Sequence, residues 1–182
     1  MEVIIVLVVL ALVALLVVGI YNRLVGLRQT TRQGLADIDA QLRQRHDLVP
    51  NLVATVKGYA SHEQVTFDQV IEARNHATAA ATPENEAQLT KAISGLLALG
   101  EAYPELKASA NFQALQGELA DVEDKLAAAR RALNAAAARY NSARESFPAV
   151  LFAGMFGFQA ADFTTLAPDE RSSIGATPAV QF

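Results

Sequence analysis

The chain of 182 residues has no cysteine and no tryptophan, and it contains few prolines and only three histidines. Without cysteine there is no disulfide, no thiolate nucleophile and no cysteine-ligated metal. The histidines, His46, His62 and His76, are sixteen and fourteen residues apart, which is not the spacing of a metal site. The net charge of −4 gives no electrostatic reason to expect nucleic acid. We therefore expect no metal, no cofactor and no nucleic-acid partner.

The patterns that mark an enzyme are also missing from the sequence. There is no glycine-rich phosphate loop and no serine in a nucleophile elbow. Asp37 and Asp39 are two residues apart and lie on different faces of a helix. Glu118 and Asp121 share a face, but Lys125 follows one turn later, which is typical of solvated ion pairs. Catalysis requires polar groups that converge in a cavity, so the sequence predicts a protein that is not an enzyme.

Hydrophobic residues are concentrated in one run over residues 3–20, where no polar side chain occurs. Fifteen of its eighteen residues are Val, Ile or Leu. As a helix the run is about 27 Å long, close to the hydrocarbon thickness of a bilayer. Insertion gains on the order of 5 to 9 kcal/mol. We predict a transmembrane anchor over residues 1–21 that includes Val3, Leu7, Leu10, Leu16 and Ile20, with Tyr21 at the interface.

The alternative to an anchor is a cleaved signal peptide, which needs a basic start and a small-residue cleavage site. Here Glu2 precedes the run and Ile20-Tyr21-Asn22-Arg23 follows it, so the anchor is favoured. No Lys or Arg comes before the run, whereas several arginines follow it. By the positive-inside rule the amino terminus lies outside and the body lies in the cytoplasm of a bacterial inner membrane.

Beyond the anchor, residues 22–147 show helical periodicity. The first apolar stripe consists of Leu35, Ile38, Leu42, Val49, Leu52, Val56 and Tyr59. From Asn111 a later helix repeats apolar residues every 3.5 positions as far as Phe147. The prediction is an all-α fold in which the transmembrane helix continues into an elongated up-down antiparallel bundle of about four helices.

Local signals divide this region into helices. We expect the first helix to end at Gly58 and a second to begin at the capping box of Ser61 and Gln64. A third is expected to begin at Thr82-Pro83 and to end before Pro104.

The stretch around Pro50 is the most unusual part of the first helix. Proline removes the amide that would bond the His46 carbonyl and costs about 3 kcal/mol in a helix interior. Because the apolar stripe stays in phase across it, we predict a kink and not a loop. The free carbonyl is then an acceptor for Asn51, a neighbouring helix or water. Two interpretations remain for the stretch that contains Arg45, Pro50 and Asn51. It is either a functional site, as a surface for a partner or a hinge, or a bend with a purely structural role.

Two segments follow the last helix. Residues 148–167 are rich in phenylalanine, and we expect Phe152, Met155, Phe156 and Phe158 to contact lipid if the helix returns to the membrane. Alternatively, the segment covers the open end of the bundle. Residues 168–182 are predicted to be a mobile tail, whose end either frays or adds to the sheet edge of another protein.

Several separated motifs together resemble the LemA family. They are "YNRLVGLRQ", "IDAQLRQRHDLVPNLVATVKGYASHE", "EAYPELKA" and "FQALQGELADVEDKLAAARRALN", followed by "RYNSARESFP" and "FGF". The resemblance covers Tyr21 to about Phe163 and implies a membrane-anchored, largely helical bacterial protein, with some relatives in magnetosome membranes. It implies no established reaction.

The family's hallmark residues fall on matching positions of this chain. They are Asn22, Arg45, Leu48, Pro50, Asn51, Lys57, Tyr59, Glu63, Tyr103, Pro104, Glu118, Glu123, Arg130 and Pro148. The chain departs from the family where Leu133-Asn134 stands in place of Tyr-Asn, and where "AAAAR" replaces a more polar stretch.

The sequence therefore suggests a membrane protein that self-associates into a scaffold organising or shaping the membrane. Its partners would be the lipid bilayer and further copies of itself, since small side chains along an alanine-rich helix let identical neighbours pack closely. The alternative is an adaptor that recruits or regulates another membrane protein, such as a protease or transporter.

Overall fold

The computed structural model describes residues 1–161, and all regular structure in that part of the chain is helical. The helices are α1 (Glu2–Lys57), α2 (Gln64–Ala79), α3 (Pro83–Ala102), α4 (Pro104–Lys107), α5 (Ala110–Glu145) and α6 (Val150–Ala153). The predicted all-α fold, with a long apolar first helix followed by helices that pack together, is confirmed. The end of the predicted phenylalanine-rich segment, residues 162–167, and the predicted tail over residues 168–182 lie outside the described part.

Helix α1 runs without interruption through Pro50, so the loop alternative at that position is excluded. The predicted end at Gly58 is confirmed, because Lys57 is the last helical residue. The interior of the apolar stripe is buried as expected, from Ile38 to Val56. Its two outer members are not, since the side chains of Leu35 and Tyr59 are about half exposed. The predicted stripe is therefore too long at both ends.

The start of α3 is as predicted, and the start of α2 is not. Thr82 accepts a hydrogen bond from the Asn85 amide at 3.2 Å, with Pro83 as the first helical residue. The capping box at Ser61 is wrong, because α2 begins three residues later at Gln64 and no side chain caps it. The intervening residues instead form turns held by backbone hydrogen bonds, such as that from the Glu63 amide to the Ala60 carbonyl.

Helix α5 buries most of its predicted apolar stripe, including Phe112, Val122, Leu126 and Leu133. Phe147, the last predicted member, is 81% exposed because α5 has already ended at Glu145. The apolar repeat therefore predicts burial only as far as the helix extends, and Phe147 lies in the turn that follows.

The described chain divides into two compact units, one made of residues 1–38 and 128–161 and the other of residues 39–127. We call them the anchor unit and the bundle unit. The core of the bundle unit draws on α1 to α5 and includes Val49, Leu52, Val56, Phe67, Val70, Leu89, Leu96, Leu106, Phe112 and Val122. Burying each of these side chains contributes about 1.5 to 3 kcal/mol.

Close helix packing in each unit relies on a glycine. In the bundle unit, a Cβ on Gly100 would lie 2.7 Å from the Phe112 ring, which is itself buried. In the anchor unit, a Cβ on Gly34 would lie 3.2 Å from the Leu133 Cα. Leu133 thus lies where two backbones approach closely, and its side chain packs there against glycine.

Candidate functional site

The first part of the candidate site is the apolar start of α1. Among the described residues, α1 is the one helix long and apolar enough to cross a membrane. None of the side chains in its most apolar stretch is buried within the protein. Of the predicted spanning residues, four are more than half exposed, namely Val3, Leu7, Leu10 and Leu16, whereas Ile20 packs against the core of the anchor unit. An exposed helix that is apolar on all sides is suited to lipid and not to water.

Directly after the apolar run, aromatic side chains gather around α1. The Tyr21 ring meets the rings of Phe156 and Phe158 edge-on, with centroids 5.4 Å apart in both pairs. Two turns further along α1, the Arg28 guanidinium lies 4.9 Å from the centroid of the Phe158 ring. Phe158 is itself buried in the core that includes Leu24. These contacts fix the phenylalanine-rich segment against the residues that follow the apolar run.

Hydrogen bonds from α5 hold the end of the same segment. The Tyr140 hydroxyl donates to the Gln159 carbonyl at 2.8 Å. The Asn141 side chain bonds the backbone of Ala161 twice, donating to its carbonyl at 2.8 Å and accepting from its amide at 2.9 Å. Gly157 has a φ of +70°, a left-handed conformation that strongly favours glycine and turns the chain just before Phe158.

The segment and Phe147, the residue before it, expose a set of large apolar side chains, which we call the apolar face. It consists of Phe147, Val150, Leu151, Met155 and Phe156, all of them at least 46% exposed. Of the residues predicted to contact lipid, Met155 and Phe156 belong to this face and Phe152 is partly buried. Phe158 is different, because it is only 2% exposed and packs inside the protein.

Lipid contact was not predicted for Phe147, Val150 and Leu151, although their spacing in the sequence gives a signal for it. Val150 and Leu151 follow Phe147 by three and four residues, and Met155 lies four residues beyond Leu151, which is the spacing of one helix face. The periodicity assigns Phe147 to the end of the α5 stripe. The turn before the short α6 instead places it with the residues that follow Pro148.

The anchor unit is basic although the whole chain is acidic. Residues 1–38 and 128–161 contain seven arginines and three acidic residues, a net charge of +4. Residues 39–127 contain seven Lys or Arg and thirteen Asp or Glu, a net charge of −6. The overall charge of −4 conceals this contrast, and an anionic membrane surface attracts only the basic unit.

The second part of the candidate site is a buried group of polar side chains in the bundle unit, which we call the polar cluster. Arg45 is 2% exposed, and its Nη1 donates to Glu86 Oε2 at 3.2 Å. The other amino group of Arg45 donates to the Thr90 hydroxyl. Its Nε lies 3.0 Å from a Glu123 carboxylate oxygen, close enough for an ion pair but not aligned as a hydrogen bond. His46 Nε2 and Glu86 Oε1 are 2.9 Å apart.

The His46 carbonyl, which the sequence predicts to be free because of Pro50, lies beside the polar cluster. The His46 carbonyl, which Pro50 leaves without an amide donor, accepts a hydrogen bond from Arg74 Nε of α2 at 3.0 Å. Of the alternatives for this acceptor, the structure thus shows the neighbouring helix. Pro50 and Asn51 are exposed, whereas Arg45 is enclosed by its partners. The predicted patch of three residues is therefore divided between the interior and the surface.

Glu86, the buried partner of Arg45, was not predicted as a site residue, although a pattern in the sequence indicates it. Glu86, Leu89, Ile93 and Leu96 follow one another at intervals of three, four and three residues, so Glu86 lies on the buried stripe of α3. Arg45 interrupts the stripe of α1 in the same way. Two interruptions of opposite charge on two buried stripes favour a buried ion pair. No spacing in the sequence singles out Arg74, because its contact depends on how α2 packs.

Two further hallmark residues pair elsewhere in the bundle unit. The Tyr103 hydroxyl donates to Glu63 Oε1 at 3.2 Å. Loss of hydration raises the pKa of the Tyr103 phenol, and the hydrogen bond and negative charge of Glu63 raise it further. As predicted for α5, Asp121 and Lys125 form an exposed ion pair at 3.8 Å, one turn apart.

Residues 1–161 contain no group of acidic or histidine side chains that could hold a metal. The buried charges of the polar cluster pair with one another. The fold, the exposed apolar helix and the apolar face define a helical protein that associates with membranes.

The chain belongs to the LemA family, whose family model matches residues 34–182. It is also similar to the magnetosome protein MamQ of Magnetospirillum gryphiswaldense, with 24% identity over 173 residues. That match covers 79% of this chain and 64% of the relative, so the chain spans less than two thirds of the relative's length.

Proposed function

We propose that this LemA-family protein is a membrane scaffold without catalytic activity. It spans the membrane once, with its amino terminus outside and its body in the cytoplasm. It rests on the cytoplasmic surface through the apolar face and assembles with copies of itself to organise or shape the membrane. The name of the relative MamQ places that protein in the magnetosome, and a role at a membrane is consistent with this likeness.

The observation that carries the proposal is the contact between Tyr21 and Phe156. Tyr21 follows the apolar run, where an interfacial aromatic belongs. Because the Phe156 ring packs against it at 5.4 Å, the apolar face starts at the depth of the membrane surface. Met155, the neighbour of Phe156, is 82% exposed and has no cover within the described part of the chain. The anchor and the apolar face thus provide two lipid contacts within one unit.

Charge supports the same arrangement. Arginines near an anionic membrane surface gain about 1 kcal/mol each, and the anchor unit has seven of them. The three closest in sequence to the apolar run, Arg23, Arg28 and Arg32, lie on its carboxyl-terminal side, and no acidic residue occurs between Glu2 and Asp37. This asymmetry supports the cytoplasmic placement of the body.

Self-assembly is supported by two surfaces that residues 1–161 of a single copy leave uncovered. The most apolar part of α1 has no buried residue. On α5, alanines are exposed at intervals of three and four residues, at Ala128, Ala132, Ala135 and Ala138. Small side chains at helical spacing permit close approach of another helix.

The test is to reconstitute the purified full-length protein in lipid vesicles and to image it while measuring its assembly state. We expect assemblies of several copies and altered vesicle shape. As a matched comparison, Ala132→Glu and Ala135→Glu would place charges on the alanine surface, and we expect them to reduce assembly without releasing the protein from lipid. Monomers on undeformed vesicles would contradict the scaffold.

The adaptor remains the second candidate, because the bundle unit exposes apolar side chains where α1 meets α2. Tyr59 and Val65 are exposed there, and Pro50 and Asn51 lie on the surface of α1 in the same unit. Crosslinking in cells separates the two functions. Crosslinks between identical copies support the scaffold, whereas one dominant foreign membrane protein supports the adaptor.

A further inference from the structure

A pocket of about 470 Å³ that is open to the surface lies in the anchor unit, between α1, α5 and the end of the phenylalanine-rich segment, and we call it the cavity. Its lining includes Arg28 and Arg32 from α1, Leu133 and Tyr140 from α5, and Gln159. This volume is within the range of small-molecule sites. The wall is largely apolar on the α5 side and cationic on the α1 side.

The two arginines have no acidic partner among the described residues. Among residues 1–161, no carboxylate lines the cavity and neither Arg28 nor Arg32 forms an ion pair. The Arg28 Nε is buried without an acceptor in that part of the chain, and its guanidinium lies over the Phe158 ring. The arginines are also four residues apart, so like charges face one another on adjacent turns. An anion between the two guanidinium groups would remove this repulsion.

We propose that the cavity binds a phosphate group, held by Arg28 and Arg32 and flanked by the apolar side chains of Leu35 and Leu133. Guanidinium groups match the oxygen geometry of phosphate through paired hydrogen bonds. The phosphate belongs either to an anionic phospholipid or to a soluble phosphate compound. The lipid source rests on the proposed membrane anchoring, whereas the anion site itself does not.

The position of Arg28 along α1 is compatible with the lipid source. Its Cα lies about 12 Å beyond Ile20 on a helix that rises about 1.5 Å per residue. The headgroup layer extends roughly 5 to 8 Å from the hydrocarbon. Helical side chains lean toward the amino terminus, which in α1 is the direction of the anchor. A long arginine side chain therefore reaches the headgroups.

The experiment measures binding to the full-length protein in phosphatidylcholine nanodiscs. In one set the discs contain increasing phosphatidylglycerol, and in the other inorganic phosphate or glycerol phosphate is added at constant ionic strength. Arg28→Gln with Arg32→Gln is compared with Arg131→Gln with Arg139→Gln, a pair of exposed arginines in the same unit that do not line the cavity. The readouts are the thermal unfolding temperature and the amount of lipid or phosphate retained.

We expect saturable binding that the cavity variant weakens by at least roughly tenfold and the control pair does not. Arg28→Lys with Arg32→Lys keeps the charge without the paired geometry, and we expect an intermediate affinity. Saturation by phosphatidylglycerol alone supports the lipid source, and saturation by dissolved phosphate supports the soluble source even if membrane anchoring fails. Equal weakening in the control pair, or no saturable binding in either set, would overturn the proposal.

Discussion

The hydrogen bond from Arg74 to the His46 carbonyl exists because Pro50 cannot donate to that carbonyl, and this dependence can be measured. In the native chain, Arg74→Met leaves a carbonyl of a buried residue without a donor while nearly keeping the length of the side chain. A lost hydrogen bond from a charged group costs about 1.5 to 3 kcal/mol. We therefore expect Arg74→Met to lower the free energy of unfolding by about 2 kcal/mol.

In a Pro50→Ala background the expected cost is smaller. The introduced alanine supplies the missing amide within α1, so the His46 carbonyl keeps a partner after Arg74 is replaced. The cost of Arg74→Met then falls to roughly 0.5 kcal/mol. The difference, a coupling of about 1.5 kcal/mol, is well above the limit of about 0.5 kcal/mol within which independent sites add.

The assay is urea unfolding of the full-length protein in detergent, followed by far-ultraviolet circular dichroism, for the four members of the cycle. Arg43→Met, at an exposed arginine on α1, is the matched control and should have the same small effect in both backgrounds. Equal costs of Arg74→Met with and without Pro50 would refute the reasoning that this carbonyl connects the two residues.

Three further changes test the bundle unit, each by the free energy of unfolding. Glu86→Ala leaves the buried Arg45 with only the half-exposed carboxylate of Glu123 nearby, and we expect the free energy of unfolding to fall by about 3 kcal/mol. A fall of only about 0.5 kcal/mol, as at a surface site, would contradict a buried ion pair. The Tyr103 pKa is raised in the folded state, so the unfolded state loses the phenolic proton first as pH rises. We therefore expect the free energy of unfolding to fall as pH rises past about 10, and to fall less in Glu63→Gln. Identical pH profiles for the two proteins would argue against the pairing of Tyr103 with Glu63. Gly100→Ala should cost about 1 to 3 kcal/mol by crowding a buried ring, and an unchanged stability would show that the ring can move aside.

Much of the fold is predictable because helical periodicity, caps and prolines act locally. Thr82 and Pro83 set the start of α3 by side-chain and backbone geometry alone. The prediction for the start of α2 is wrong because the spacing of Ser61 and Gln64 permits a capping box without requiring one, and local turns satisfy the backbone instead.

The candidate site is less predictable because it depends on contacts between distant residues. The sequence shows that Pro50 frees a carbonyl, but only the packing of α2 shows that Arg74 binds it. The sequence predicts lipid contact for Phe158, but the left-handed turn at Gly157 directs this side chain to Tyr21 and buries it. Lipid contact by the apolar face stays a prediction.

The central claim is that the apolar face lies in the membrane surface beside the anchor. Because the chain has no cysteine, Met155→Cys provides a single attachment site for a fluorescent probe. With the full-length protein in vesicles that carry quenchers at the headgroup and upper acyl positions, we expect strong quenching at this residue and little at Ser94→Cys, an exposed position in the bundle unit. Equal, weak quenching at both positions would show that the apolar face does not touch lipid.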